Sequence, residues 1–259
     1  MILIVDDSYG KRLYDMDYSQ KKISVSFEGN ADYVVEDLIL KETETRFTLV
    51  HKGVKYPVIT NMLAKFNIYN LVQVIACVHE KGYPLDAIIP LVLDLPIVKG
   101  RVNMIDEGQD FKAIVDYSHT PDGFEKIYQY LRSITQGRLI TVYGNAGGRD
   151  TTKRRVMGKI SDQYCDYIVI TEQDRRTEDV SQIKDMMVVD INDTPFVFIE
   201  KRYEAIEYAL NFAQKGDTVV VLGKGDERLQ HGPNGKEPWM GDDEAVRTIL
   251  KSQNLEMIK

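Results

Sequence analysis

The 259-residue chain is poor in the residues that cross-link or chelate, with two cysteines, four histidines and a single tryptophan. Cys77 and Cys165 lie far apart in apolar surroundings, so neither a disulfide framework nor a cysteine-rich zinc site is indicated. Both are expected to be buried, reduced thiols. Long apolar runs are also missing. The first one, Met1–Val5, stops at Asp6 and Asp7, too short for a signal peptide or a membrane span. The expectation is therefore a cytoplasmic protein with no membrane partner. Positive charge is not concentrated anywhere, and the net charge is −7, which argues against nucleic acid as a partner because phosphate binding rests on clustered Lys and Arg. Two motifs are absent as well. No G-x-x-x-x-G-K-[ST] phosphate loop occurs, and no G-x-G-x-x-G follows a strand. Repeats and low-complexity stretches are lacking too.

What remains is an ordinary globular composition, 43% hydrophobic and 28% charged, in a chain long enough for one large or two ordinary domains. Residues 1 to about 60 read mostly as strands: Met1–Val5, the alternating Lys22–Phe27, then Thr45–Val50 and Val54–Ile59 around a His51-Lys52-Gly53 turn. Lys65–Lys81 reads as a helix with Leu71, Val74, Ile75 and Val78 on its apolar stripe, and Leu85–Leu93 as a second. Pro96–Gly100 resembles a linker, which places a domain boundary between 1–100 and 101–259. Beyond it, strands and helices alternate. The apolar strands are Phe111–Val115, Arg138–Tyr143, Tyr167–Thr171, Pro195–Ile199 and Thr218–Leu222. Pro121–Ile134 is an amphipathic helix capped by Thr120, and Tyr203–Gln214 is another. This rhythm implies an α/β fold with a doubly wound, mostly parallel, Rossmann-like sheet covered on both faces.

Ligands in such sheets bind beyond the carboxyl ends of the strands. Four segments follow strands directly: DYSHTPD (Asp116–Asp122), GNAGGRD (Gly144–Asp150), EQDRRTED (Glu172–Asp179) and GKGDER (Gly223–Arg228). Their glycines allow backbone N–H groups to approach an anion. Arg149, Arg175 and Arg176 suit carboxylate or phosphate, while Asp116, Asp122, Asp150 and Glu227 suit hydroxyls or an ammonium. Both signs of charge together fit a nucleotide beside a zwitterionic amino acid.

These residues carry a resemblance. VDYSHTPDGFEK is similar to the VDYAHTPDALEK of the MurE-type Mur ligases, GNAGGRDTTKRRVMG to their GCGGDRDxxKRPxMG, and LGKGDE to their GKGHE. VKGRVNMI resembles the GRME that joins their central and C-terminal domains, LAKFNIYN resembles GxFNxxN, and IVDDSYGKRL resembles NADDxxGxxL. The order and spacing agree over essentially the whole chain. The resemblance implies the second half of a Mur ligase central ATPase domain at 1–100 and the C-terminal, amino-acid-binding domain at 101–259. It further implies an ATP- and Mg²⁺-dependent acid–amino acid ligase of peptidoglycan synthesis, and so of cell-wall growth, shape and division. Such an enzyme adds lysine or diaminopimelate to UDP-MurNAc-L-Ala-D-Glu through an acyl phosphate.

Carried over by position, Asn67, Asn70, Arg101, Asp116 and His119 would line the ATP site. Arg149, Asp174, Arg176, Gly223 and Glu227 would hold the incoming amino acid. No metal ligand is assigned in this chain. Gln173-Asp174-Arg175-Arg176 stands where diaminopimelate-adding enzymes have DNPR, which leaves the amino acid open. The family's N-terminal domain, its GTNGKT loop and its Mg²⁺ ligands have no counterpart in the sequence. The chain is therefore expected to be the C-terminal portion of a split or truncated ligase, inactive alone or in need of complementation by a chain that supplies that part. The alternatives are a non-catalytic amino-acid or nucleotide-binding remnant, and a related ligase of the cyanophycin or folylpolyglutamate synthetase type.

Overall fold

A computed structural model describes residues 1–17 and 19–257, with side chains as far as Gln253. The chain divides into two compact units, Met1–Ile97 and Val98–Lys259.

The first unit has a five-stranded sheet in the order β1 (Ile2–Ile4), β2 (Ile23–Ser26), β3 (Tyr33–Leu40), β4 (Thr45–His51), β5 (Val54–Thr60). β1, β2 and β3 run parallel, and β3, β4 and β5 form an antiparallel meander. Lys52 and Gly53 both take positive φ in the tight turn between β4 and β5, as the His51-Lys52-Gly53 reading requires. α1 (Ser8–Asp15) is a helix within the stretch read mostly as strands, between the two strands expected at Met1–Val5 and Lys22–Phe27. The Asp7 carboxylate caps it by accepting from the Tyr9 and Gly10 N–H groups, and the helix buries no residue.

β2 also departs from expectation, since all four of its residues are buried instead of alternating. Its two serines are satisfied locally: Ser24 bonds Asp32, and Ser26 bonds Asp6. α2 (Lys65–Glu80) packs Ile68, Leu71, Val72, Ile75 and Ala76 against Val25, Tyr33 and Leu49. Val74, placed on that stripe from the sequence, is instead 56% exposed, because the buried face is rotated toward Ile68 and Val72. Cys77, one position after the buried Ala76, turns outward with it and is exposed, so only Cys165 is the buried thiol expected of both. α3 (Leu85–Ile88) runs into a 3₁₀ turn over Ile89–Asp94 and completes the unit.

The second unit is a six-stranded sheet. Its strands are β6 (Asn103–Ile105), β7 (Lys112–Asp116), β8 (Leu139–Tyr143), β9 (Tyr167–Ile170), β10 (Phe196–Phe198) and β11 (Thr218–Leu222), in the order β10-β9-β8-β11-β7-β6. All pairings are parallel except the antiparallel edge strand β6. α4 (Pro121–Ile134), α5 (Thr152–Tyr164) and α6 (Val180–Met187) form one layer. α4 is seated by a Phe124–Tyr143 edge contact and a Tyr128–Thr141 hydrogen bond of 2.8 Å. α7 (Arg202–Phe212) and α8 (Asp242–Met257) form the other layer, where Ala205, Ile206, Ala209, Val246 and Leu250 bury against Val142, Val219 and Val221. A hairpin, β12 (Leu229–Gly232) and β13 (Gly235–Pro238), leads into α8.

β11 is inserted between β7 and β8, so chains leaving β8 and β11 depart to opposite layers. That is the switch point at which sheets of this kind open a crevice. Among the described residues no helix is long and apolar enough to cross a membrane.

Candidate functional site

At the carboxyl edge of the second sheet the four segments meet. Gly223 ends β11 at φ +109, and a Cβ there would lie 2.3 Å from the Gln173 side-chain oxygen. Only glycine admits that approach. Gln173 donates to the Gly223 carbonyl at 3.0 Å, and its Cβ also closes on Gly144. The GNAGG turn rests on the next turn through the Gly147 N–H, which donates to the Asp174 carbonyl at 3.1 Å. Gly225, at φ +56, lies under Tyr117 and Gly100. Gly100, read as linker, belongs to this site, because its carbonyl accepts the Tyr117 N–H at 2.8 Å.

A buried charge network runs through the middle. Lys224 is fully buried, and its ammonium donates to Asp174 Oδ1 and Glu227 Oε2, each at 2.9 Å. Glu227 also accepts the Tyr117 hydroxyl at 3.0 Å, and Asp174 accepts the His231 N–H at 2.8 Å from the hairpin. Burial by itself would raise the Asp174 carboxyl, but Lys224 and the His231 N–H outweigh it and the pKa falls below the ordinary carboxylate value. Burial does raise the Tyr117 hydroxyl, with the Glu227 carboxylate adding to it. Asp174 and Arg176 both sit at positive φ, 46° and 52°, a strained pair of non-glycine residues in one turn.

The residues singled out from the sequence fall into three groups. Arg149 is exposed and makes no hydrogen bond or ion pair among the described residues, so its guanidinium is available. Arg101 is exposed with its guanidinium 5.0 Å from the Tyr117 ring centre, a cation–π contact that holds it over Glu227's partner. Asp174, Gly223 and Glu227 stand together in the network just described.

Asp116 is 1% exposed, and its oxygens accept the Val102 and Ser118 N–H groups, so it fixes backbone at the end of β7. His119 is exposed, with Nδ1 on the Tyr117 carbonyl at 2.9 Å and its own carbonyl accepting Lys153 at 2.7 Å. Burial depresses the Lys153 ammonium. Arg176 donates to the Gly147 and Asp174 carbonyls at 2.7 and 3.3 Å. Asp122 pairs with Lys126, and Asp150 accepts from Thr152 at the start of α5, so both serve helix ends.

Asn67 and Asn70 belong to the first unit. Asn67 is nearly buried and donates to the Leu63 carbonyl at 2.8 Å, which ties down the start of α2. Asn70 is exposed beside Gln73, Val74 and Cys77 on the wall of an open cavity of about 730 Å³.

Lys224, Tyr117, Gln173 and Glu178 lie in the four segments but were given no role of their own from the sequence, and neither was Arg154. A lysine between two glycines directly after an apolar strand was a usable signal for Lys224. Nothing local marks Arg154 as buried. Among the described residues no group of three His, Cys, Asp or Glu side chains could hold a metal, and the acids of the site are already engaged. These residues do not fit a Mg²⁺ site.

Residues 100–225 match the family model for the Mur ligase glutamate ligase domain, and residues 1–78 match that for the Mur ligase middle domain. The chain belongs to the Mur ligase family. It is 37% identical over 232 residues to a UDP-N-acetylmuramoyl-L-alanyl-D-glutamate–2,6-diaminopimelate ligase of Clostridium acetobutylicum, covering 88% of this chain and 48% of the relative. It is 34% identical to a UDP-N-acetylmuramyl-tripeptide synthetase of Borreliella afzelii, covering 97% of this chain and 50% of the relative. The chain therefore spans about half the length of the curated relatives it matches. Among solved structures, a UDP-N-acetylmuramoyl-L-alanyl-D-glutamate–2,6-diaminopimelate ligase superposes with a TM-score of 0.63 at 29% identity, covering 98% of this chain and 53% of that one. The MurF ligase of Thermotoga maritima in complex with ADP shares the fold, with a TM-score of 0.70 at 16% identity.

Proposed function

We propose that this chain contributes the amino-acid-binding part of an ATP-dependent ligase that forms an amide on a UDP-MurNAc peptide in the cytoplasm. The observation that carries the reading is Arg149, exposed and without a partner among the described residues, in the Gly144–Asp150 turn that rests on Asp174 of the Glu227–Lys224–Asp174 network. Arg149 takes the α-carboxylate of the incoming amino acid as a bidentate ion pair. The far end of the amino acid lies toward Gly223, Glu227 and Arg176. Glu227 is the most accessible acid of the network and orients the substrate's distal amine. Tyr117 and Lys224 fix both of its oxygens. ATP supplies the activation, by converting the receiving carboxylate into an acyl phosphate. In the second unit Arg101 and His119 are the exposed groups assigned to it, with Asp116 fixing the backbone beside them, and in the first unit Asn67 and Asn70 are assigned to it by their motif alone.

Diaminopimelate is the amino acid named for the Clostridium acetobutylicum relative. The test is calorimetric titration of the 259-residue protein with meso-diaminopimelate, L-lysine and ATP. Saturable uptake of one of the amino acids is expected, and silence toward both contradicts the reading. The 259 residues carry no G-x-x-x-x-G-K-[ST] loop. ATP turnover is therefore expected only when a polypeptide carrying that loop is added.

A further inference from the structure

We propose that Arg154 and Glu178 are positioning residues, a buried brace that holds the Ala146–Gly148 turn so that Arg149 faces a carboxylate. Arg154, on α5, is fully buried, an arrangement that is costly unless every charge is matched. Its guanidinium donates to Glu178 Oε2 at 2.8 Å, to Glu178 Oε1 at 3.1 Å and to the Ala146 carbonyl at 3.0 Å. Glu178 in turn accepts the Gly148 N–H. Between them, Gly147 is held by the Asp174 carbonyl at its N–H and by Arg176 at its carbonyl. Each of the three residues before Arg149 is thus tied down, while Arg149 itself has no partner among the described residues.

The brace is more than packing between α5 and the start of α6. An ion pair that only joined those helices would not need to bond a loop carbonyl and a loop N–H two residues apart. Gly147 shows how close the fit is, because a Cβ there would lie 2.0 Å from the Arg175 carbonyl oxygen. A turn so constrained fixes the direction in which the next side chain leaves. Pre-set direction is what a bidentate guanidinium–carboxylate contact requires.

This inference rests on Arg149 as the carboxylate group, and a double-mutant cycle separates the two ideas. Affinities for meso-diaminopimelate and L-lysine are measured by calorimetry on the wild-type chain, E178Q, R149Q and the double variant. E178Q keeps an acceptor for Gly148 and loses the charge opposite Arg154, and R154K serves as the second probe of the brace. We expect E178Q and R154K each to weaken binding about tenfold. In the R149Q background neither should weaken it further, because the brace acts only through Arg149. Undiminished affinity in E178Q and R154K overturns the brace alone, as does a double variant that loses the product of the two single effects. A wild-type chain that binds neither amino acid overturns the Arg149 reading and the brace with it.

Discussion

Lys224 has no exposed surface, so its removal leaves the largely buried Asp174 carboxylate without its ion pair, while the more exposed Glu227 keeps water. K224M is expected to destabilise the second unit by about 3 kcal/mol or more, as for other broken buried pairs. Trp239, the sole tryptophan, lies in that unit, so the fluorescence midpoint in urea reads the loss directly. R149Q is the contrast at the same site. It removes an exposed side chain with no partner and should leave that midpoint within about 0.5 kcal/mol of wild type.

At this scale the sequence was a good guide to place and a poor one to role. Asp116, Arg149, Asp174, Gly223 and Glu227 do gather at one edge. Yet Asp116 bonds backbone, and Arg176 grips the carbonyls of its own and a neighbouring turn. A charged side chain looks the same in a string whether its partner is a ligand or a peptide group. Tertiary contact decides which.

Elements were legible where burial is two-sided. β7, β8, β9 and β11 are continuous apolar runs because helices cover both faces, and a run of that kind needs no register to be recognised. α1, β6 and the β12–β13 hairpin are short and carry little buried apolar surface. In the first unit, β3, β4 and α2 bring Tyr33, His51 and His79 together. Tyr33 stacks on His51 at 4.3 Å, and its hydroxyl is 2.6 Å from His79 Nδ1. The two imidazoles stand 5.0 Å apart, facing Glu80, Lys21 and Lys52.

Burial, and then His51, push the His79 pKa below its ordinary value, so the folded state favours the neutral ring. The unfolded chain takes up the proton more readily, and the contribution is therefore complete above about pH 6.5 and lost as the pH falls below it. The first unit's calorimetric transition should move down between pH 7.5 and 5.5, and H79Q should flatten that dependence. An equal slope in H79Q would assign the effect elsewhere.

For the molecule as a whole, two units with separate cores make separate claims. The Mur ligase assignment was visible in ordered motifs because ligand-facing turns tolerate little change in glycine placement. Gly223 and Gly147 show why: at each, a single Cβ would meet neighbouring atoms at 2.3 and 2.0 Å. What the motifs did not reveal is the Arg154–Glu178 pair or the Lys224–Asp174 pair beneath them, since these join residues 24 and 50 positions apart.

The central claim is that four separated turns form one amino-acid site around Arg149. The most direct test is an amide-resolved NMR titration of the isotope-labelled chain with meso-diaminopimelate. Shifts confined to residues 116–119, 144–150, 173–176 and 223–231, saturating together, are predicted. Saturating shifts that leave Arg149 and its turn unmoved, or no shifts at all, would contradict it.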